Sequence, residues 1–177
     1  MLEIMNQMFM GEKLVDSQKH GIIVCLEKIP RPTQPKDYRP LTLLNADFKL
    51  LVRIIANRIR PWTNDLLHPS QHCGVQDNNT LGAISAIRDT IAQAELTHTP
   101  LCILSLDFKG VFVNIAHSYL FAMLESYGFS SKFRHRLMRM YSNAKSSIQV
   151  NGHISRPIPI KCSVRQGCPL SVLLFTM

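Results

Sequence analysis

The chain has 177 residues, 46% of them apolar and 18% charged. That is enough for one domain with a hydrophobic core, and too apolar for a disordered segment. Twenty Lys and Arg against twelve Asp and Glu give a formal net charge of +8, and residues 101–177 hold nine basic and two acidic residues. A face of this kind attracts polyanions by neutralising phosphates.

No run reaches the roughly 18 apolar residues of a membrane span, and the N-terminus lacks the basic and apolar regions of a signal peptide. An intracellular protein without membrane contact is expected. The five cysteines, Cys25, Cys73, Cys102, Cys162 and Cys168, form no C-x-x-C pair, which fits a reducing compartment. His68, His72 and Cys73 cluster, but Pro69 and the lack of a fourth ligand argue against zinc.

Residues 2–10 have the spacing of a short amphipathic helix. Gly21–Leu26 is an apolar run bounded by turn formers and is predicted to be a buried strand. Residues 29–40 contain four prolines and should be extended loop. Phe48, Leu51, Ile54, Ile55 and Ile59 recur at helical spacing, so residues 45–60 are predicted to be an amphipathic helix stopped by Pro61. Residues 80–95 repeat the pattern behind Asn79 and Thr80, both capping residues.

Leu101–Leu106 is predicted to be a second buried strand, ending on Asp107. A carboxylate there must be solvated, paired or bound to metal, and a turn or cap is the plain alternative. Residues 117–127 should form a helix stopped at Gly128. Ser130 opens another, to about residue 144, with Phe133, Leu137, Met140 and Tyr141 on its packed face. Ser147–Val150 followed by Asn151-Gly152 signals a hairpin. The return strand, Ile154 to Val164, should be bent by Pro157 and Pro159. Pro169 suits the first turn of a last helix. Helices interleaved with few strands give an α+β fold, with neither a P-loop nor a dinucleotide fingerprint.

Four segments occur in a telling order: Tyr38-Arg-Pro-Leu-Thr-Leu-Leu-Asn45, Leu104-Ser-Leu-Asp107-Phe-Lys109, Gln149-Val-Asn-Gly152 and Arg165-Gln-Gly-Cys-Pro-Leu-Ser171. Together they resemble the reverse transcriptase domain of non-LTR (LINE-type) retrotransposons, over about Gly21 to Met177. The resemblance implies part of a right-hand polymerase, fingers plus incomplete palm. Residues 1–177 would be one partial domain. About 1–100 would be mostly fingers with palm helices, and 101–177 partial palm ending before the paired-aspartate motif. The implied activity is RNA-directed DNA polymerisation, with RNA template, DNA primer and dNTP as partners and Mg²⁺ as cofactor.

By the same resemblance, Lys28 and Arg39 contact the triphosphate, a task suited to a point-charge Lys and a forked Arg. Asp107 binds the metal ions, with the Phe108 carbonyl as a second ligand. Phe112 sits under the sugar, and Gln166 and Gly167 meet the nucleotide. Arg134, Arg136, Arg139, Lys161 and Arg165 are the candidate nucleic-acid surface. Solvated loop cations, a core Phe and a Gly-Pro loop are the plain alternatives.

Three departures stand out. Val113 replaces the acidic end of the palm motif's Ala-Phe-Asp, Glu27 replaces a Pro beside Lys28, and Asp77-Asn78 replaces a Gly-Arg pair. No Asp-Asp pair occurs in the sequence. The isolated chain is therefore expected to be inactive as a polymerase. A basic nucleic-acid-binding remnant, or a decayed reading frame with no selected role, is the alternative.

Overall fold

The structure, a computed structural model, describes residues 6, 7, 10, 14–75 and 77–177. The helix expected over 2–10 falls largely outside these. The rest is mixed α and β, as the periodicity predicts. A short helix α1 (Asp16–Lys19) leads into strand β1 (His20–Glu27). A 3₁₀ turn at Pro35–Asp37 precedes β2 (Tyr38–Leu43). Next comes the long helix α2 (Ala46–Ile59). Pro61 does not end it sharply: a 3₁₀ turn, Arg60–Trp62, carries the chain into α3 (Thr63–Leu66). Proline sits at the start of that turn, where its missing N–H leaves no bond unmade.

Helix α4 spans Thr80–Leu96, and the Asn79 side chain accepts from the Gly82 amide at 2.9 Å. A short turn of helix, α5 (Val111–Asn114), precedes α6 (His117–Ser126) and α7 (Ser131–Tyr141). Gly128 ends α6 at φ +78°. The Phe129 amide donates to the Leu124 carbonyl and the Gly128 amide to Glu125, a Schellman closure. Helix α7 stops at Tyr141, three residues short of expectation. Strand β3 (Lys145–Val150) then turns through Asn151 and Gly152, both left-handed, into β4 (His153–Ile154). That is the backbone a two-residue hairpin turn demands. The expected single return strand is broken: β5 (Ile158–Pro159) pairs separately with β3. Helix α8 (Ser171–Thr176) starts after Pro169, which occupies the preceding turn.

The sheet order is β2-β1-β3-β4, with β5 also on β3. Strands β1 and β2 are antiparallel, and β1 and β3 are parallel. The core is built by helices rather than by the sheet. Phe48, Leu51, Val52, Ile55 and Ile59 of α2 face Leu120 and Leu124 of α6, Leu137 of α7, and Leu173 and Leu174 of α8. Strand β1 is only half-buried and Cys25 is exposed, so its apolar run over-reads its burial.

The largest correction lies at residues 101–106. They form no strand, and Leu104 is 77% exposed and Cys102 exposed. The reason is physical. An extended segment is stable only where a neighbour accepts and donates its backbone hydrogen bonds, and among the described residues none pairs with it. Helix α4 shares the situation, since its apolar stripe buries no residue. We expect the amides of 101–108 to exchange with solvent as fast as a loop, while those of β1 are protected. Hydrogen exchange read by mass spectrometry checks this.

Candidate nucleotide and nucleic-acid site

Lys28 and Arg39 lie at one end of the β1–β2 ladder. Arg39 pairs with Leu26, and the Lys28 amide continues the ladder by donating to the Asp37 carbonyl at 2.8 Å. Both side chains are exposed. Lys28 Nζ donates to the Lys36 carbonyl at 3.0 Å, which holds the ammonium over the loop. Glu27, beside it, is exposed.

The loop 165–167 is fastened to the other end of β2. The Thr42 amide donates to the Gln166 carbonyl at 2.8 Å. Gly167 has φ +98°, and a Cβ there would stand 2.8 Å from the Thr42 carbonyl oxygen. The close approach that glycine permits is therefore made to the chain's own strand. A cleft of about 240 Å³ opens beside this junction, lined by Pro40, Thr42, Ser146, Lys161, Gln166 and Val113 among others. Thr42 lies inside the Tyr38–Asn45 motif without being singled out there, and Ser146 lies outside all four motifs. The pairings Ile23↔Thr42 and Gly21↔Ser146 bring the two to the cleft.

Phe112 is half-buried. Its ring centroid lies 4.9 Å from that of Phe175, and its carbonyl accepts from the Val164 amide. It thus ties α5 to α8 and to the start of the 165–167 loop. His117 Nε2 donates to the Ser163 carbonyl at 3.1 Å, fixing the same loop from α6.

Asp107 and Phe108 stand apart from this junction. Both are exposed, and Phe108 is 74% so. Among the described residues no three His, Cys, Asp or Glu side chains gather to hold a cation. Two divalent ions about 3.5–4 Å apart need several carboxylate oxygens between them. One exposed aspartate does not supply them, so the residues present do not fit a two-ion centre.

The proposed basic surface divides. Lys161 and Arg139 are exposed, and Arg136 is half-buried. Arg134 pairs with Glu125 at 2.7 Å. Arg165 does not reach the surface: it is 5% exposed. Its Nη2 donates to the Lys19 carbonyl at 3.0 Å, its guanidinium lies 5.7 Å from the Phe48 ring centroid, and Nη1 has no partner.

Around Arg165 sits a buried titratable group. Burial pushes the Tyr141 phenol far above its ordinary 10.0 and the Cys168 thiol above its ordinary 9.0. Burial also pushes the Arg165 guanidinium below its ordinary range. Tyr141 and Cys168 keep their protons when folded at a pH where the unfolded chain releases them. Their contribution is complete below about pH 9 and lost as pH rises through 9 and 10 and beyond. Arg165 acts in the opposite sense, because burial disfavours its charged form. Denaturant midpoints measured between pH 7 and 11 should fall above about pH 9, with a shallower fall in Tyr141→Phe.

The reverse transcriptase (RNA-dependent DNA polymerase) family matches residues 19–177. The chain belongs to this family. It is 29% identical over 174 residues to the "Transposon TX1 uncharacterized 149 kDa protein" of Xenopus laevis, covering 98% of this chain and 13% of that protein. The Pol polyprotein of a type-1 R2 retrotransposable element from Nasonia vitripennis is 30% identical, over 86% of this chain and 15% of its own length. That of the type-2 element R2DM from Drosophila melanogaster is 26% identical, over 100% and 17%. The chain thus spans less than a fifth of the curated relatives named here. One is a transposon protein and two are Pol polyproteins of R2 retrotransposable elements, which agrees with the non-LTR retrotransposon family that the four motifs predict. Among the described residues of this reverse transcriptase segment, no helix is long and apolar enough to cross a membrane.

Proposed function

We propose that this chain is the fingers and first part of the palm of an RNA-directed DNA polymerase, and that the 177 residues alone carry no polymerase turnover. The observation that carries the reading is the junction of loop 165–167 with β2. It brings Gln166 to the strand that bears Arg39, through the Thr42–Gln166 bond of 2.8 Å. Two motifs more than a hundred residues apart thereby share one cleft with Lys161. A polyphosphate entering along β2 would meet Arg39 and Lys28 as cations, and Gln166 as a donor and acceptor for a base or sugar. Residues 1–100 would be mostly fingers with palm helices, and 101–177 partial palm. RNA template, DNA primer and dNTP would be the partners of the complete polymerase.

The second half of the proposal rests on Asp107. It is exposed, off any strand, and without a carboxylate cluster among the described residues. Primer extension on an RNA template, with Mg²⁺ or Mn²⁺ supplied, should yield no product from the isolated chain. Product that disappears in Asp107→Asn would overturn this.

The exposed Lys161 and Arg139, with the other cations of α7, favour a second reading as a nucleic-acid-binding module. Binding would then weaken steeply with salt, because each phosphate contact releases counterions. Affinity for a labelled oligonucleotide, measured across a salt series, tests it. An affinity independent of salt would count against it.

A further inference from the structure

Apart from the cleft beside β2, the chain carries an aromatic one, built where α2 ends. The 3₁₀ turn at Arg60–Trp62 changes the helical phase, and Trp62 is left 60% exposed. Across from it is the Schellman turn that joins α6 to α7. Phe129 and Phe133 stack there with centroids 5.1 Å apart and planes 26° apart. Tyr127 is held by its hydroxyl, which donates to the Met177 carbonyl at 3.0 Å. A Cβ on Gly128 would meet nothing within 4 Å, so the turn stays open to solvent. Ile55, Ile59 and Leu66 complete an apolar lining around about 410 Å³, with Arg58 and Asp65 as its charged members. It shares no residue with the cleft beside β2.

We propose that this cleft docks an unpaired base of single-stranded nucleic acid, separately from the candidate nucleotide site. The volume falls in the range of small-ligand pockets, about 300–1,000 Å³. Flat aromatic walls suit a planar π-face of any base, because stacking is tolerant of sequence. Arg58 lines the cleft, so a cation stands beside it for an attached phosphate; Arg60, two residues before Trp62, donates Nη1 to Asn57 Oδ1 at 3.3 Å one turn back in α2. Asp65 would repel a phosphate, yet it can accept from the ring N–H of uracil or thymine or from the amino group of another base. An apolar peptide anchor would fit the walls as well. The charge decides between them: the chain carries +8, and a base brings its own anion while an apolar side chain does not. The inference goes beyond the polymerase reading and rests on it only for the class of partner.

Trp62 is the single tryptophan of the chain, so its fluorescence reports this cleft alone. Titrating the 177-residue chain with short uridine and thymidine homo-oligomers should quench or shift that fluorescence saturably; the two arms tell RNA from DNA. Trp62→Ala should weaken binding of a labelled oligomer about tenfold, and Trp62→Phe should keep most of it. Arg58→Gln should lower the slope of log affinity against log salt by about one. Trp62 is exposed, so these variants test binding rather than folding. Labelled oligomer that binds with no change in Trp62 fluorescence would overturn the cleft while sparing the nucleic-acid reading. Absence of any binding would overturn both. A response to an apolar peptide, and none to either oligomer, would assign the cleft to a protein partner and overturn the proposal.

Discussion

Gly167→Ala should lower the melting temperature of this chain by about 8–16 °C. Two costs add. At φ +98° a side chain holds a sparsely populated backbone conformation, worth about 1–3 kcal/mol. The new Cβ would also lie 2.8 Å from the Thr42 carbonyl oxygen and 3.1 Å from Leu41 Cδ1. The first neighbour is strand backbone, so it cannot rotate away as a flexible side-chain end would. Loop 165–167 must retreat from β2, and the Thr42–Gln166 bond goes with it. Together these come to about 4 kcal/mol, and a chain of this size loses about 2–4 °C per kcal/mol.

Gly128→Ala separates the two costs. Its φ is +78°, but a Cβ there meets nothing within 4 Å, so only the backbone term remains, about 1–2 kcal/mol. Thermal unfolding of the two variants side by side measures the difference. Equal losses would mean that the contact with β2 contributes nothing.

The same glycine marks how far the sequence could be read. The motif of Gly167 predicts a close backbone approach, and the structure shows one to β2. Local signals were legible. The Asn79 cap, the Gly128 stop and the Asn151-Gly152 turn each follow from the chemistry of a few adjacent residues, and each appears where expected. Long-range burial was not. The run 101–106 has the composition of a strand, but pairing requires a partner that composition does not specify. The stripe of α4 has the right period, yet none of its residues is fully buried. The motif alone leaves Arg165 as a phosphate or a packing contact; its burial depends on Lys19 and Phe48, which are distant in sequence. The cleft around Trp62 joins residues 55–66 to residues 127–133, so no single window contains it. Family membership was legible throughout because it rests on order and spacing of motifs rather than on burial.

Arg165→Ala should cost about 3 kcal/mol, or about 6–12 °C, whereas Arg165→Met should change the melting temperature by no more than about 3 °C. The native side chain contributes in opposing ways. Its stem fills a site only 5% exposed and lies against Phe48. Its Nη2 donates to the Lys19 carbonyl, joining loop 165–167 to the start of β1. Against these stands a charge buried without a carboxylate beside it among the described residues, with Nη1 unpartnered. Desolvation opposes the charged form there, which is why the guanidinium pKa is lowered.

Alanine removes the stem and leaves a cavity, the larger loss. Methionine keeps most of the volume and removes the unpartnered donor, while it forfeits one hydrogen bond worth about 1 kcal/mol. These last two nearly offset. If methionine proves as damaging as alanine, the guanidinium and not the stem holds the loop. In either case Gln166 is the residue displaced, because its carbonyl receives the Thr42 amide one position along. Arg165 thus borders the proposed nucleotide cleft from its buried side. Binding of a dNTP or labelled oligonucleotide by Arg165→Met then becomes informative: stability is kept, so a loss of affinity would report the cleft that Arg165 and Gln166 both line rather than unfolding.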